Sequence, residues 1–161
     1  MAKKKDKGDA EKIIENRKAR FEYAILETLE CGIVLRGTEV KSVREGKVSL
    51  AEGFVRAQGG ELLLYGVNIG EYGPAGPQGN GKQHNPTRAR TLLAHGKQIA
   101  KLTDQVSIKG MTIVPLKMYF KDGFAKVLIG LAKGKTQHDK RESITKRDTE
   151  RDMRRAMSRR A

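Results

Sequence analysis

Residues 76–82, Gly-Pro-Gln-Gly-Asn-Gly-Lys, have the spacing of a phosphate-cradling loop, in which backbone amides hold an anion and a lysine adds charge. The next position of such a loop is Ser or Thr, which holds magnesium; here it is Gln83, and Pro77 removes an amide the loop would use. No parallel-sheet pattern surrounds the segment, so nucleotide hydrolysis is set aside. Glycines at 70, 73, 76 and 79, with Pro74 and Pro77, give a collagen-like period that ends too soon for a triple helix, and residues 70–83 read as a flexible surface loop. His84, His95 and His138 lack a paired acid or thiol at metal-ligand spacing and read as surface or nucleic-acid-facing residues. Cys31, the lone cysteine, falls in an apolar phase and reads as core; no disulfide framework is possible within the chain, and a reducing compartment is expected. No Ser/His/Asp or Cys/His grouping emerges. The chain is not expected to be an enzyme or to need a cofactor or metal.

Charge carries the stronger signal. Lys and Arg number 33 against 19 Asp and Glu in 161 residues, a net charge of +14. Residues 1–20 hold eight basic and four acidic side chains, residues 21–132 hold 14 and 10, and residues 133–161 hold 11 and five. The ends therefore concentrate positive charge (+4 and +6) while offering little apolar surface to offset the entropy of ordering. They are expected to be mobile alone and to fold on a polyanion. No apolar run is long enough for a membrane helix, and the basic start has no apolar segment behind it, so neither membrane nor secretion is expected. Trp is absent and aromatics are 5% of residues, too few for a run of base-stacking platforms, whereas Arg and Lys suit phosphates of folded RNA.

The elements that must position these groups are mainly strands. From Tyr23 to Leu35 six of the seven odd positions are apolar, which predicts one long half-buried strand, with Gly32 marking a bend or bulge. Residues 38–45 predict a short helix capped by Thr38 and stopped by Gly46. Strands 54–57 and 62–69 flank Gly59-Gly60, and strands 111–120 and 124–131 flank Lys121-Asp122-Gly123, both hairpin signals. Pro115 places its strand at an edge or a bulge. Between the hairpins, Pro86 opens a helical stretch through Leu92, Leu93, Ile99 and Leu102, broken at Gly96. The order fits a mainly β fold with helices: an OB-like closed barrel of five to six antiparallel strands. Three regions are expected: a flexible basic arm at 1–15, the barrel at 16–132 and a basic tail at 133–161.

Several stretches carry a family resemblance: Asn-Arg-Lys-Ala-Arg-Phe-Glu-Tyr at 16–23, Gly-Thr-Glu-Val-Lys-Ser-Val-Arg-Glu-Gly-Lys at 37–47 and Pro-Thr-Arg-Ala-Arg-Thr-Leu-Leu at 86–93. Lys-Gly-Met-Thr-Ile-Val-Pro-Leu-Lys at 109–117 and Gly-Leu-Ala-Lys-Gly-Lys-Thr-Gln-His-Asp-Lys-Arg-Glu at 130–142 continue it in order. With these the chain resembles the small protein B family, the SsrA-binding (tmRNA-binding) proteins of trans-translation. The resemblance implies an OB-like barrel that binds the tRNA-like domain of tmRNA and brings it, alanine-charged, to a stalled ribosome. It implies as partners the decoding centre and mRNA channel of the small subunit, with elongation factor Tu involved indirectly through alanyl-tmRNA, and a cytoplasmic location. Another OB-type translation factor or a ribosomal protein, binding other structured RNA, is the alternative.

The RNA-binding set expected on this basis is Phe21, Glu30, Lys41, Arg44, Arg88, Arg90, Leu93, His95 and Lys97. The resemblance places Glu30, Leu93 and His95 on the RNA face, and Glu30 also lies in the non-core phase of its strand. Phe21, Phe54 and His95 depart from the His, Tyr and Asn found in relatives. The ribosome-binding tail set is Lys133, Lys135, Asp139, Lys140, Arg141, Arg147, Arg151, Arg154, Arg155 and Met157. On a helix, Lys140, Arg147, Arg151, Arg154 and Arg155 share an arc of about 100°, a phosphate-facing stripe, apart from a small patch of Met153, Ala156 and Met157.

Overall fold

A computed structural model describes residues 12–108 and 110–159; most of the expected N-terminal arm, residues 1–11, lies outside them. The strands are β1 (Ile14–Glu15), β2 (Tyr23–Ile33), β3 (Val48–Ser49), β4 (Phe54–Gln58), β5 (Glu61–Tyr65), β6 (Asn68–Ile69), β7 (Arg90–Leu93), β8 (Met111–Lys121) and β9 (Phe124–Gly134). The helices are α1 (Arg17–Glu22), α2 (Gly37–Arg44), α3 (Gly96–Val106) and α4 (Gln137–Arg159). The protein is mainly β with helices at its periphery. Hydrogen-bonded neighbours run β8-β4-β5-β7-β2-β9 and return to β8, so six antiparallel strands form a closed ring, with β1 on the free part of β8's edge and β3 paired to β6 outside it.

Strand phase explains the core. Cys31, Ile33, Val55, Leu62, Leu64, Leu92, Ile113, Met118, Val127, Ile129 and Leu131 are buried together, joined by Ile99 and Leu102 of α3 and Val43 of α2. Each such side chain contributes on the order of 1.5–3 kcal/mol by leaving water. Burial also drives the Cys31 thiol up to about 11, which keeps it a protonated core group. A second cluster, Ala19, Val114, Leu116 and Ala132 with Tyr23 and Ile25, forms under α1. Two register shifts make both clusters possible, between Ile25 and Glu27 in β2 and between Pro115 and Lys117 in β8. In β2 the extra residue turns the apolar phase from α1 (Tyr23, Ile25) to the ring interior (Cys31, Ile33). In β8 it lets Ile113 and Met118 both face the interior from either side of the bulge, while Val114 and Leu116 face α1. Pro115 marks its bulge as expected, whereas the bulge of β2 lies at Leu26, not at Gly32.

Asn16 joins the clusters. Its side chain caps α1 by accepting from the Ala19 amide, and donates to Leu50 O at 2.9 Å and Pro115 O at 2.8 Å. Asp122 (φ 52°) and Gly123 (φ 81°) form the left-handed pair of a two-residue turn between β8 and β9.

The central helical stretch needs correction. Residues 90–93 are strand β7, which bridges β5 and β2 and closes the ring, and helix begins only at Gly96. Leu92 points into the core and Leu93 outward, the period-two behaviour that a run of two leucines hides. Thr38 is not the cap of α2, which begins at Gly37 after Arg36; its hydroxyl instead meets His84. The tail, expected to be disordered alone, is the continuous helix α4. A local box starts it: Thr136 amide and hydroxyl both donate to Asp139 Oδ2, and the Asp139 amide returns to Thr136 Oγ1.

Candidate RNA interface

Glu30 stands on the outer face of β2, three strands of the ring meeting around it. The register sets Glu30 opposite Leu128, Gly32 opposite Lys126, and Lys126 opposite Tyr119. The Tyr119 hydroxyl donates to Glu30 Oε2, and Lys121 Nζ lies 3.6 Å from Oε1. That hydroxyl, followed by the positive charges of Lys121 and Lys126, holds the Glu30 carboxyl below its ordinary 4.5. Desolvation and the same bond push Tyr119 up to about 12. The result is an ionised carboxylate held in place by a phenol and bordered by ammonium groups. Sequence reading found Glu30 but not Tyr119, Lys121 or Lys126; the Asp122-Gly123 turn, which fixes the β8–β9 register, was the signal that places them.

Leu93 on β7 lies across from Gly32 and is 57% exposed. His95 follows at the N-terminus of α3, where its amide donates to Gln98 Oε1, and Lys97 is exposed in the first turn. Glu30, Leu93, His95 and Lys97 thus come from β2, β7 and the start of α3, elements made contiguous by the β2–β7 pairing.

Other expected RNA residues lie elsewhere. Arg90 is fully buried: its Nε meets Glu39 Oε2 at 3.0 Å, and its other nitrogens donate to Val67 O at 2.9 Å and Pro86 O at 3.0 Å. Burial lowers its pKa and Glu39 opposes that shift. Arg90 is therefore a structural ion and no RNA contact. Arg88 pairs with the other oxygen of Glu39 and is only one-quarter exposed, so most of its donor capacity is used inside the protein. Glu39, fully buried between the two arginines, was not singled out from sequence, since its partners are 49 and 51 residues away. His84 is likewise buried rather than surface-facing, with Nδ1 2.8 Å from Thr38 Oγ1 and Nε2 2.9 Å from Ile69 O. Lys41 sits over the Tyr72 ring at 5.0 Å and Arg44 over Phe120 at 5.3 Å, both on α2.

The basic end divides in two. Lys133 belongs to β9, opposite Ala24, and Lys135 ties the chain back to α1 by donating to Arg20 O at 3.2 Å. Lys140, Arg141, Arg147, Arg151, Arg154, Arg155 and Met157 are on α4, which buries no residue. Asp139 serves the helix rather than a partner: the Thr136 hydroxyl and amide that it accepts hold its carboxyl below the ordinary range. Arg147 lies 5.5 Å from the centre of the Phe21 ring, so Phe21 meets the tail and not the Glu30 face.

The SmpB protein family model matches residues 13–159. The chain belongs to this family. It is similar to the SsrA-binding protein of Enterococcus faecalis, at 50% identity over 94% of this chain and 96% of that one. It is 53% identical to the SsrA-binding protein of Shouchella clausii, over 92% of each. Its fold is similar to a chain of a solved structure described as "tmRNA-SmpB: a journey to the center of the bacterial ribosome", with a TM-score of 0.64 and 46% identity, covering 82% of this chain and 94% of that one. The SmpB match takes in every element from β1 to α4, so the basic helix is part of the family's length and not an addition to it. Among the described residues no helix is long and apolar enough to cross a membrane, and no group of His, Cys, Asp and Glu is arranged to hold a metal ion.

Proposed function

We propose that this chain binds the tRNA-like domain of tmRNA and delivers it to stalled ribosomes for trans-translation. Its relatives are named SsrA-binding proteins, and the related solved chain is described with tmRNA and the bacterial ribosome. The observation that carries the reading to residues is the Glu30 carboxylate held by Tyr119 beside exposed Leu93. A carboxylate already accepting one hydroxyl keeps lone pairs for a base amino group, while Leu93 offers an apolar contact to a base or sugar and Lys97 a phosphate contact. The protein acts by binding and positioning, without covalent chemistry.

The closed ring of six strands is read as an OB-like barrel spanning 16–132, with a basic arm at 1–15 and a tail at 133–161. The arginines of α4 are assigned to the ribosomal RNA of the empty mRNA channel, next to the decoding centre. Elongation factor Tu enters indirectly, through the alanyl-tmRNA it carries, and the setting is the cytoplasm. The test is filter binding of parent and Glu30→Ala to the tRNA-like domain and to an ordinary tRNA, across a salt series. The expected result is a loss of about tenfold on the tRNA-like domain, the scale of one charge-assisted hydrogen bond. Equal affinity of parent and variant at every salt concentration overturns the assignment of Glu30.

A further inference from the structure

The glycine-rich segment 70–83 has no part in the proposed RNA face, and it is built around two amide side chains. Gln83, 8% exposed, accepts from the Tyr72 amide at 3.1 Å and donates to Tyr72 O at 2.9 Å and Gly76 O at 2.8 Å. Asn80 closes the outer half of the loop. Its Nδ2 donates to Ala75 O at 2.6 Å, and its Oδ1 accepts from the amides of Lys82 at 2.8 Å and Gln83 at 3.0 Å. Beyond Gln83 the chain is anchored to the rest of the fold by the contacts of His84 with Thr38 and Ile69. Asn80 thus holds a loop whose base is fixed independently.

The same bonds prepare Asn80 for chemistry on itself. Two backbone N–H groups converge on its side-chain carbonyl oxygen, the arrangement that stabilises an oxyanion when a nucleophile adds to the carbon. The nucleophile is next in sequence. Gly81 has no β-carbon to shield its nitrogen, its backbone is left-handed (φ 77°), and among the described residues its amide has no hydrogen-bond partner. Asn80, Gly81 and Lys82 are all exposed, so water and hydroxide reach them. The other asparagines lack these conditions. Asn16 is buried with both ends of its amide engaged, Asn68 precedes the branched Ile69, and Asn85 precedes Pro86, whose nitrogen carries no hydrogen.

We propose that Asn80 is a site of spontaneous deamidation, a self-modification that opens the 70–83 loop as the protein ages. The Gly81 amide nitrogen loses its proton to hydroxide and bonds to Asn80 Cγ. The Cγ–Nδ2 bond breaks, and Nδ2 leaves as ammonia with a proton taken from water, which closes a cyclic imide. A water molecule then adds to the imide and cleaves one of its two C–N bonds, leaving either aspartate or an isoaspartyl link at residue 80. Nothing is oxidised or reduced; one amide and one water become one carboxyl group and ammonia. In the aspartate product an oxygen replaces Nδ2 opposite Ala75 O, so two acceptors meet where a hydrogen bond stood. The isoaspartyl product also lengthens the main chain by a methylene.

The full chain is incubated at mildly alkaline pH, and each asparagine is followed by fragment mass spectrometry, with hydrogen exchange and a thermal melt on the aged protein. Asn80 is expected to gain the mass difference between amide and acid, with isoaspartate detected by an isoaspartyl methyltransferase, while Asn16, Asn68 and Asn85 stay unchanged. Lys82→Pro, which removes one donor to Oδ1, is expected to slow the change at least about tenfold. Gly81→Ala, which shields the attacking nitrogen, is expected to slow it by a similar factor. Hydrogen exchange should rise within residues 71–83 alone with the melting temperature unchanged, and Asn80→Asp should reproduce that pattern in fresh protein. Absence of the mass gain at Asn80, or an equal gain at another asparagine, overturns the proposal. Modification of Lys82→Pro at the parent rate, or unchanged exchange in the modified loop, overturns it as well. No readout involves RNA, so the result is separate from that of the proposed function.

Discussion

Leu93 lies flat across the backbone of Gly32, and a β-carbon at residue 32 would approach Leu93 Cβ to 3.2 Å. The glycine leaves the leucine its place on the outer surface of the ring, where it is 57% exposed. The pair is thus a shape requirement on the proposed RNA face and adds nothing to the core.

Gly32→Val is expected to displace Leu93 and lower affinity for the tRNA-like domain, while thermal stability changes little because valine favours strand. Binding and melting should be measured on the same preparation. A large drop in melting temperature would mean instead that the β2–β7 pairing itself needs glycine.

The buried Glu39 predicts a stability effect. Glu39→Ala leaves Arg90 buried without its counterion and releases Arg88, which should cost about 3–5 kcal/mol in denaturant unfolding. Glu39→Gln should cost less, since its amide oxygen still accepts one guanidinium bond. Replacing Glu39 and Arg90 together by apolar residues of similar volume should recover much of the loss, the pattern of a buried pair and not of a surface one.

What the sequence made legible was what depends on near neighbours. The period of β2, both hairpins and the bulge at Pro115 follow from alternation and turn chemistry, and each occurs. Strand β7 was missed because four residues with an arginine at their head carry too little alternation, and its pairing partners lie far away in sequence. The Glu39–Arg90 pair failed for the same reason: a basic residue in an RNA-like composition reads as a phosphate ligand until the fold buries it. The bulge at Leu26 left one trace, Glu27, the single polar residue among the odd positions, while the apolar phase resumes at Leu29 with the faces exchanged. Of the expected site, Glu30 and Leu93 stand exposed and near each other, whereas Phe21 faces the tail.

The Glu30–Tyr119 bond makes a pH prediction with a definite sign. The folded-state carboxyl titrates below 4.5, so the stabilisation from this bond is complete above that value and is lost as pH falls through the depressed one. Tyr119→Phe removes the hydroxyl and should return the Glu30 titration upward toward 4.5, followed by carbon-13 NMR of the labelled carboxyl. The same variant should weaken binding to the tRNA-like domain by freeing the carboxylate to rotate. An unchanged Glu30 titration would show that Lys121 and Lys126 alone hold it ionised.

The tail predicts a separation of binding from delivery. Helix α4 buries no residue; the Thr136–Asp139 box starts it, and Arg147 at its middle meets Phe21. Deleting residues 137–159 should therefore leave unfolding of the strand ring cooperative and binding to isolated tRNA-like domain largely intact. It removes the stripe of Arg147, Arg151, Arg154 and Arg155, which should abolish tagging of a stalled peptide and reduce the salt slope of ribosome association by about one per lost phosphate contact. Asp139→Ala is the finer variant. It leaves every basic residue in place and removes only the box that starts the helix, at a cost of about 1 kcal/mol of helix stability. Helical circular dichroism should fall, and tagging should fall with it although the net charge becomes more positive. Normal tagging by Asp139→Ala would show that charge alone suffices in the tail. Normal tagging by the deletion would remove the tail from the mechanism altogether.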